Sequence, residues 1–314
     1  MRTAFIETLV EMAEADPRIW LLTGDLGYSV LERYATRFPD RYVNVGVAEQ
    51  NLAGTAAGLA LSGKTPFIYS IANFPVTRCL EQIRNDICYH GANVKIVSVG
   101  GGVAYGAAGY THHGIEDLAF MRALPHMAVV APGDPVEARH ATRAIACRTG
   151  PCYLRLGKAK EVIIHGQPVD FQLGRALLVR EGRDLTLIST GGMLETAVAV
   201  AGELTQAGIS ARVLSMHTVQ PLDVDAILRA ATETRAVFTL EEHRPTGGLS
   251  SAVAEVLAER MPVHVPFRKF TLPDEILPTV GSQDFLRALA GLSGGQIAKA
   301  VRGTWTVMTE EALP

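Results

Sequence analysis

Apolar residues in the first half of the chain fall into two alternating rhythms. Short runs at Ile19 to Thr23, Tyr42 to Val47, Pro66 to Ser70, Val94 to Val99, Met127 to Ala131 and Cys152 to Leu156 read as buried strands. Between them, Asn51 to Leu61, Thr77 to Tyr89 and Pro135 to Arg148 repeat their apolar positions at helical spacing. A first helix is expected from Phe5, Ile6, Leu9, Val10 and Met12-Ala13, with Thr3 as its N-cap and Asp16-Pro17 as its stop. Strands that alternate with helices predict an α/β fold built on a doubly wound parallel sheet.

From Lys158 to about Phe171 the pattern loosens around Gly157, Gly166 and Pro168. A second series then begins, with strands near Leu185 to Ser189, Ala211 to Ser215, Ala236 to Leu240 and Val263 to Val265. Its helices are expected from about Leu194 to Ala207, Asp223 to Ala231 and Leu249 to Arg260. The chain therefore divides into a first domain over 1–165, a linker over 166–180 and a smaller α/β domain over 181–314.

Composition narrows the function classes. With 314 residues, 48% of them apolar, the chain can fill two full cores. A net charge of -3 and the lack of a basic stripe interleaved with aromatics argue against nucleic acid. Cys79, Cys88, Cys147 and Cys152 fall in no CxxC or Cys/His array and read as reduced thiols of a cytoplasmic protein. Glu7, Glu11 and Glu14 interrupt any signal-peptide core, and no apolar run approaches the length of a membrane span.

Ligands of open parallel sheets bind beyond the C-terminal ends of the strands, and those segments here are chemically loaded. Gly24-Asp25-Leu26-Gly27 follows the first strand, Glu49 the second and Ile71-Ala72-Asn73-Phe74 the third. Gly100-Gly101-Gly102 follows the fourth and leads to Thr111-His112-His113-Gly114-Ile115-Glu116-Asp117. Glu49, flanked by Val, Ala and Gly, is expected to be poorly hydrated, with a pKa raised toward the range useful for proton transfer; satisfaction by backbone amides is the alternative. The glycine run lacks the spacing of a dinucleotide loop, His112-His113 lacks partners for a metal face, and no nucleophile elbow is present. Gly191-Gly192 opens a helix and reads either as a structural turn or as an anion site.

These residues carry a family resemblance. Asn44-Val45-Gly46-Val47-Ala48-Glu49-Gln50-Asn51, Ala56-Ala57-Gly58-Leu59-Ala60, Glu81-Gln82-Ile83-Arg84-Asn85-Asp86, Thr111-His112-His113-Gly114 and Ala131-Pro132-Gly133-Asp134 resemble the pyrimidine-binding domain of transketolases. Pro221-Leu222-Asp223 and Glu241-Glu242-His243-Arg244-Pro245-Thr246-Gly247-Gly248-Leu249 resemble the C-terminal domain of that superfamily. The superfamily's Gly-Asp-Gly with a downstream Asn is missing, since Gly24-Asp25 is followed by Leu26. The chain thus resembles the C-terminal subunit of a split transketolase.

The resemblance implies thiamine diphosphate as cofactor, with Mg2+ ligands on an N-terminal partner subunit that carries the diphosphate-binding domain, in an α2β2 assembly. It implies that Glu49 bonds the aminopyrimidine and promotes removal of the cofactor's C2 proton, and that Phe74 stacks on the ring. Ile71 stands where relatives often have a second aromatic, Asp25 matches an acid near the cofactor, and Gly100, Gly101 and Gly102 would let backbone approach it. His112 would face the reacting carbon with His113 beside it as a substrate contact, and Glu116 or Asp117 could orient an imidazole. Lys158 or Arg155 stands near the place of a substrate-phosphate arginine. Two positions depart from ordinary transketolases: Ala108 replaces a donor-reading Asp, and Gly100 replaces a phosphate-binding His. The implied activity is transfer of a two-carbon ketol unit from a ketose, as sugar or sugar phosphate, to an aldehyde. The rivals are the β subunit of a 2-oxoacid dehydrogenase and a non-catalytic scaffold subunit.

Overall fold

The computed structural model describes residues 1–159, 161–167, 169–262 and 265–310. Its first sheet is built from β1 (Ile19–Thr23), β2 (Tyr42–Asn44), β3 (Thr65–Ile71), β4 (Lys95–Val99), β5 (Ala128–Val130) and β6 (Cys152–Leu156). These strands are parallel and lie in the order β5-β6-β4-β3-β1-β2. The chain winds from β1 to β2 on one side and then crosses to β3 on the other, so a switch point lies beside β1. β3, β4 and β6 are buried almost end to end, which is why they read as continuous apolar runs rather than alternations.

The second half contributes β7 (Leu177–Arg180), β8 (Leu185–Ser189), β9 (Ala211–Ser215), β10 (Thr218–Gln220), β11 (Val237–Leu240) and β12 (Phe267–Phe270). Its sheet has the order β12-β11-β8-β9-β7, with β7 antiparallel at the edge. β10 leaves this sheet and pairs antiparallel with β5, so the second half completes the first sheet. A single buried cluster accordingly runs from Leu118, Met127 and Val129 to Met216, Ile227 and Val237.

The elements differ from expectation in ways that have local causes. The first helix spans Arg2–Ala15, and Thr3 lies inside it because the carbonyl of Met1 already accepts from the Phe5 amide. The helix expected over Thr77 to Tyr89 is instead three pieces: Phe74–Thr77, Leu80–Gln82 and a π-helical turn at Ile83–Cys88. Cys79 leaves the helical region (φ -127°, ψ 27°) and breaks the run. β7 falls within the stretch expected to link the domains. β10 has three residues, too few to show a period. Val263 and His264 of the expected strand at Val263 to Val265 lie outside the described residues; the strand that pairs with β11 is β12.

The connection between the halves is held by side chains rather than by regular structure. The Asp134 carboxylate caps the helix Pro135–Cys147 through the Glu137 amide and accepts from the amides of Ile164 and His165. The His165 ring bonds Glu137 at 2.8 Å, and Phe171 stacks on His217 with ring centroids 3.9 Å apart. Burial, partly offset by Glu137, pushes the pKa of His217 down to about 4. Burial also opposes charging of His165, but Glu137 outweighs it and raises that pKa.

The two histidines therefore act on stability in opposite directions. The stability tied to neutral His217 is full above about pH 6.5 and is lost as pH falls toward 4, because there the unfolded chain binds more protons. That of the His165–Glu137 pair is full below about pH 6.5 and is lost as pH rises through the raised value. Urea unfolding of wild type and His217→Gln at pH 7.5 and pH 5 isolates the first effect. The variant should lose about 2 kcal/mol less than wild type over that interval. Equal losses would show that His217 does not titrate this way.

Candidate active site

The ends of β1, β2, β3, β4 and β6 face one rim, and the sequence-derived candidates stand along it. After β2 the backbone turns at Gly46, whose φ of 73° suits glycine, and Asn44 Oδ1 accepts from the amides of Gly46 and Asp25. The turn delivers Glu49 as the first residue of the helix Glu49–Leu61, with only 4% of it exposed. The Glu49 carboxylate does not meet the dry apolar wall expected from its neighbours. Arg78 Nη1 donates to both of its oxygens at 3.0 Å, and the Arg78 guanidinium lies 4.1 Å above the Phe74 ring.

Phe74 opens the turn that follows β3, and its ring and that of His112 meet in a T-shaped arrangement, 5.2 Å between centroids. Glu49, Arg78, Phe74 and His112 thus form a chain of contacts, with Arg78 joining the first to the third. The Nδ1 of His112 lies 3.0 Å from Thr111 Oγ1, and Asn73 Nδ2 donates to the Thr111 carbonyl, which ties this loop to β3. Asp25, exposed and at φ 58°, is clipped to Asn44 and accepts from the Tyr28 hydroxyl. Ile71 lines a recess of about 180 Å3 together with Arg2, Tyr28, Tyr69 and Tyr105.

Other candidates are placed differently from expectation. The glycine run is closely packed by neighbouring side chains. A Cβ at Gly100 would collide with the Tyr105 ring, one at Gly101 with the Arg155 side chain, and one at Gly102 with the Glu242 carboxyl. His113 is 2% exposed with neither ring nitrogen bonded, and burial lowers its pKa.

Arg155 is buried between the domains, where it pairs with Asp117 at 2.9 Å and donates to the carbonyls of Gly114 and Glu242. Glu116 is engaged by Arg244 and Tyr110, so neither it nor Asp117 orients His112. Of the two expected phosphate-arginine candidates, only Lys158 reaches the rim, with Nζ 4.4 Å above the Tyr105 ring. Tyr105 in turn lies 6.4 Å from His112.

Three rim residues escape a reading of the sequence alone: Arg78, Tyr105 and Arg2. The four-residue spacing of Phe74 and Arg78 is a usable signal for the first, because such pairs share a helix face. Tyr105 can be sought as the side chain that fills the space left at Gly100. Arg2 carries no sequence signal, since it precedes the first apolar position of its helix. Among the described residues no group of His, Cys, Asp and Glu side chains has the arrangement of a metal site, and no helix is long and apolar enough to cross a membrane.

Comparison with known proteins assigns this architecture. Residues 1–161 match the transketolase pyrimidine binding domain and residues 174–297 the transketolase C-terminal domain. The chain is 40% identical over 301 residues to a 6-deoxy-6-sulfo-D-fructose transketolase subunit of Clostridium sp. (strain MSTE9), covering 96% of this chain and 92% of that protein. It is 41% identical over 276 residues to a subunit of the apulose-4-phosphate transketolase of Phocaeicola vulgatus, covering 87% and 88%. A split-gene transketolase solved as an inactive β4 tetramer superposes with a TM-score of 0.87 at 38% identity, covering 97% of each chain. A Pichia stipitis transketolase variant shares the fold, with a TM-score of 0.82 at 19% identity over 98% of this chain and 46% of its own. By sequence and by structure, this chain belongs to the transketolase family, of which it carries the pyrimidine-binding and C-terminal domains.

Proposed function

We propose that this chain is the pyrimidine-binding subunit of a thiamine-diphosphate-dependent ketol transferase, moving a two-carbon unit from a ketose to an aldehyde. The chain of contacts from Glu49 through Arg78 and Phe74 to His112 carries this reading. A buried carboxylate beside an aromatic face already accommodates one flat, hydrogen-bond-donating group, the Arg78 guanidinium, so a flat aminopyrimidine fits the same cradle. Phe74 would hold that ring by stacking, which orients it without competing for its hydrogen bonds. Glu49 would bond the ring nitrogen and exchange a proton with it at a carboxylate oxygen.

Bound thiamine diphosphate supplies the nucleophilic carbon and the electron sink for carbon–carbon cleavage. His112, against the Phe74 ring, would bond the donor's oxygen and stabilise charge that develops there. Asp25 and Ile71 would border the cofactor. The outer rim carries Lys158 and Arg2 around Tyr105, which suits a donor whose far end is anionic. The names of two relatives carry a sulfo and a phosphate group, in keeping with such a donor.

The rest of the site would come from a partner subunit with the diphosphate-binding domain and the Mg2+ ligands, in a two-plus-two cytoplasmic assembly. Tyr28 and Val47, on the turns after β1 and β2, are 71% and 73% exposed, as an unfilled contact surface would be. The inactivity of the related β4 tetramer supports the need for a second kind of subunit. The transketolase names of the relatives favour ketol transfer over 2-oxoacid chemistry.

Ketose cleavage by the chain reconstituted with that partner, thiamine diphosphate and Mg2+ tests the reading. Glu49→Gln should lower kcat by at least ~10²-fold, the scale of general acid–base catalysis. Undiminished turnover would leave a scaffold role. Lys158→Ala should raise KM about tenfold for phosphorylated or sulfonated ketoses and leave unsubstituted ones unchanged, with stability intact. Arg155→Ala should instead cost ~3–5 kcal/mol in urea unfolding, because it strands Asp117 in the interior. The reverse pattern would return the substrate contact to Arg155.

A further inference from the structure

The Arg78 guanidinium makes both contacts that the proposed cradle offers a flat heterocycle. It donates to the two oxygens of Glu49 and sits 4.1 Å from the centroid of the Phe74 ring. We propose that Arg78 is an internal placeholder for the aminopyrimidine, an autoinhibitory counter-ion that fills the ring's position in the cofactor-free chain and swings out when the cofactor enters. The inference rests on the cofactor reading above and adds a residue that competes with the cofactor rather than binding it.

Three features support an exchange over a permanent bond. Glu49 cannot follow Arg78 outward, because it is fixed as the first residue of a helix and its side chain is only 4% exposed. The Arg78 side chain is 47% exposed and can return its guanidinium to water along a path already open. Among the described residues Glu49 is the one carboxylate within ion-pair distance of Arg78, so apart from the Phe74 face no further contact of that strength holds the guanidinium.

The two occupants also exclude each other. Arg78 covers one face of Phe74 and donates to both oxygens of Glu49, so a flat group that stacks on that face and bonds the same carboxylate would need the space of the guanidinium. An exchange keeps the carboxylate paired throughout, which avoids the cost of leaving a buried acceptor unsatisfied. The apparent affinity for the cofactor is then reduced by the fraction of chains in which Arg78 covers the cradle.

Titration of thiamine diphosphate into the complex of this chain with its diphosphate-binding partner and Mg2+, followed by calorimetry and stopped-flow fluorescence, tests the placeholder. Arg78→Met should bind the cofactor about tenfold more tightly and with faster association, and Arg78→Lys should fall between it and wild type. In the absence of cofactor Arg78→Met should melt at a lower temperature than wild type, and saturating cofactor should close the gap. If Arg78→Met fails to fold, the Arg78→Lys affinity decides.

Equal or weaker binding by the folded variants would overturn the placeholder, the weaker case making Arg78 a cofactor ligand. A wild-type complex that takes up no thiamine diphosphate would overturn both this inference and the cofactor reading. Normal wild-type uptake with unchanged variants removes this inference alone.

Discussion

A carboxylate that is nearly out of water needs a hydrogen-bond donor at every moment, and Glu49 is such a carboxylate. The turn from β2 through Gly46 fixes it, and the turn after β3 supplies both the guanidinium that satisfies it and the aromatic face beside it. The π-helical break that follows is part of this arrangement. A continuous helix from Thr77 onward would have carried Arg78 along a regular axis, whereas the interruption at Cys79 lets the segment Phe74–Thr77 pack over the end of β3.

The second domain bears on the same site from behind. Glu242 accepts from the Val103 amide while Gln283 and Arg287 hold its carboxyl, and Arg155 bridges the carbonyls of Gly114 and Glu242. Gly102 and Gly114 exchange backbone hydrogen bonds, so the segments before and after His112 are pinned to each other and to the domain junction. Charged groups buried there are paired and add rigidity more than stability, since replacing such a pair by apolar groups often costs little while breaking it costs much. The position of His112 is in this sense a property of both domains.

The parallel sheet is legible in the sequence because β1, β6, β8 and β9 are short apolar runs with ends marked by Gly, Pro or polar residues, and their expected bounds match the observed ones. The rim is legible because ligand-facing residues of such sheets follow the strands, which singles out Asp25, Glu49, Phe74 and His112. What the sequence hides depends on pairing between distant parts of the chain. β7 and β10 are edge strands defined by their partners, and β10's partner belongs to the other domain. Arg155 and Lys158 are three residues apart in the sequence, but one ends in the junction and the other on the rim. The glycines at 100–102 look in the sequence like room for a ligand, and a side chain added at them would meet Tyr105, Arg155 and Glu242. Local sequence cannot tell a glycine that admits a ligand from one that admits a neighbour.

Whether Glu49 promotes proton removal from the cofactor can be measured without knowing the sugar. Exchange of the C2 hydrogen of thiamine diphosphate for deuterium, followed by quenched-flow proton NMR in the assembled, cofactor-loaded complex, reports that step alone. Wild type should exchange at least as fast as any ketose is turned over, and Glu49→Gln, with cofactor still bound, at least ~10²-fold more slowly. Equal exchange in the two loaded complexes would contradict the role given to Glu49 and with it the account of this site.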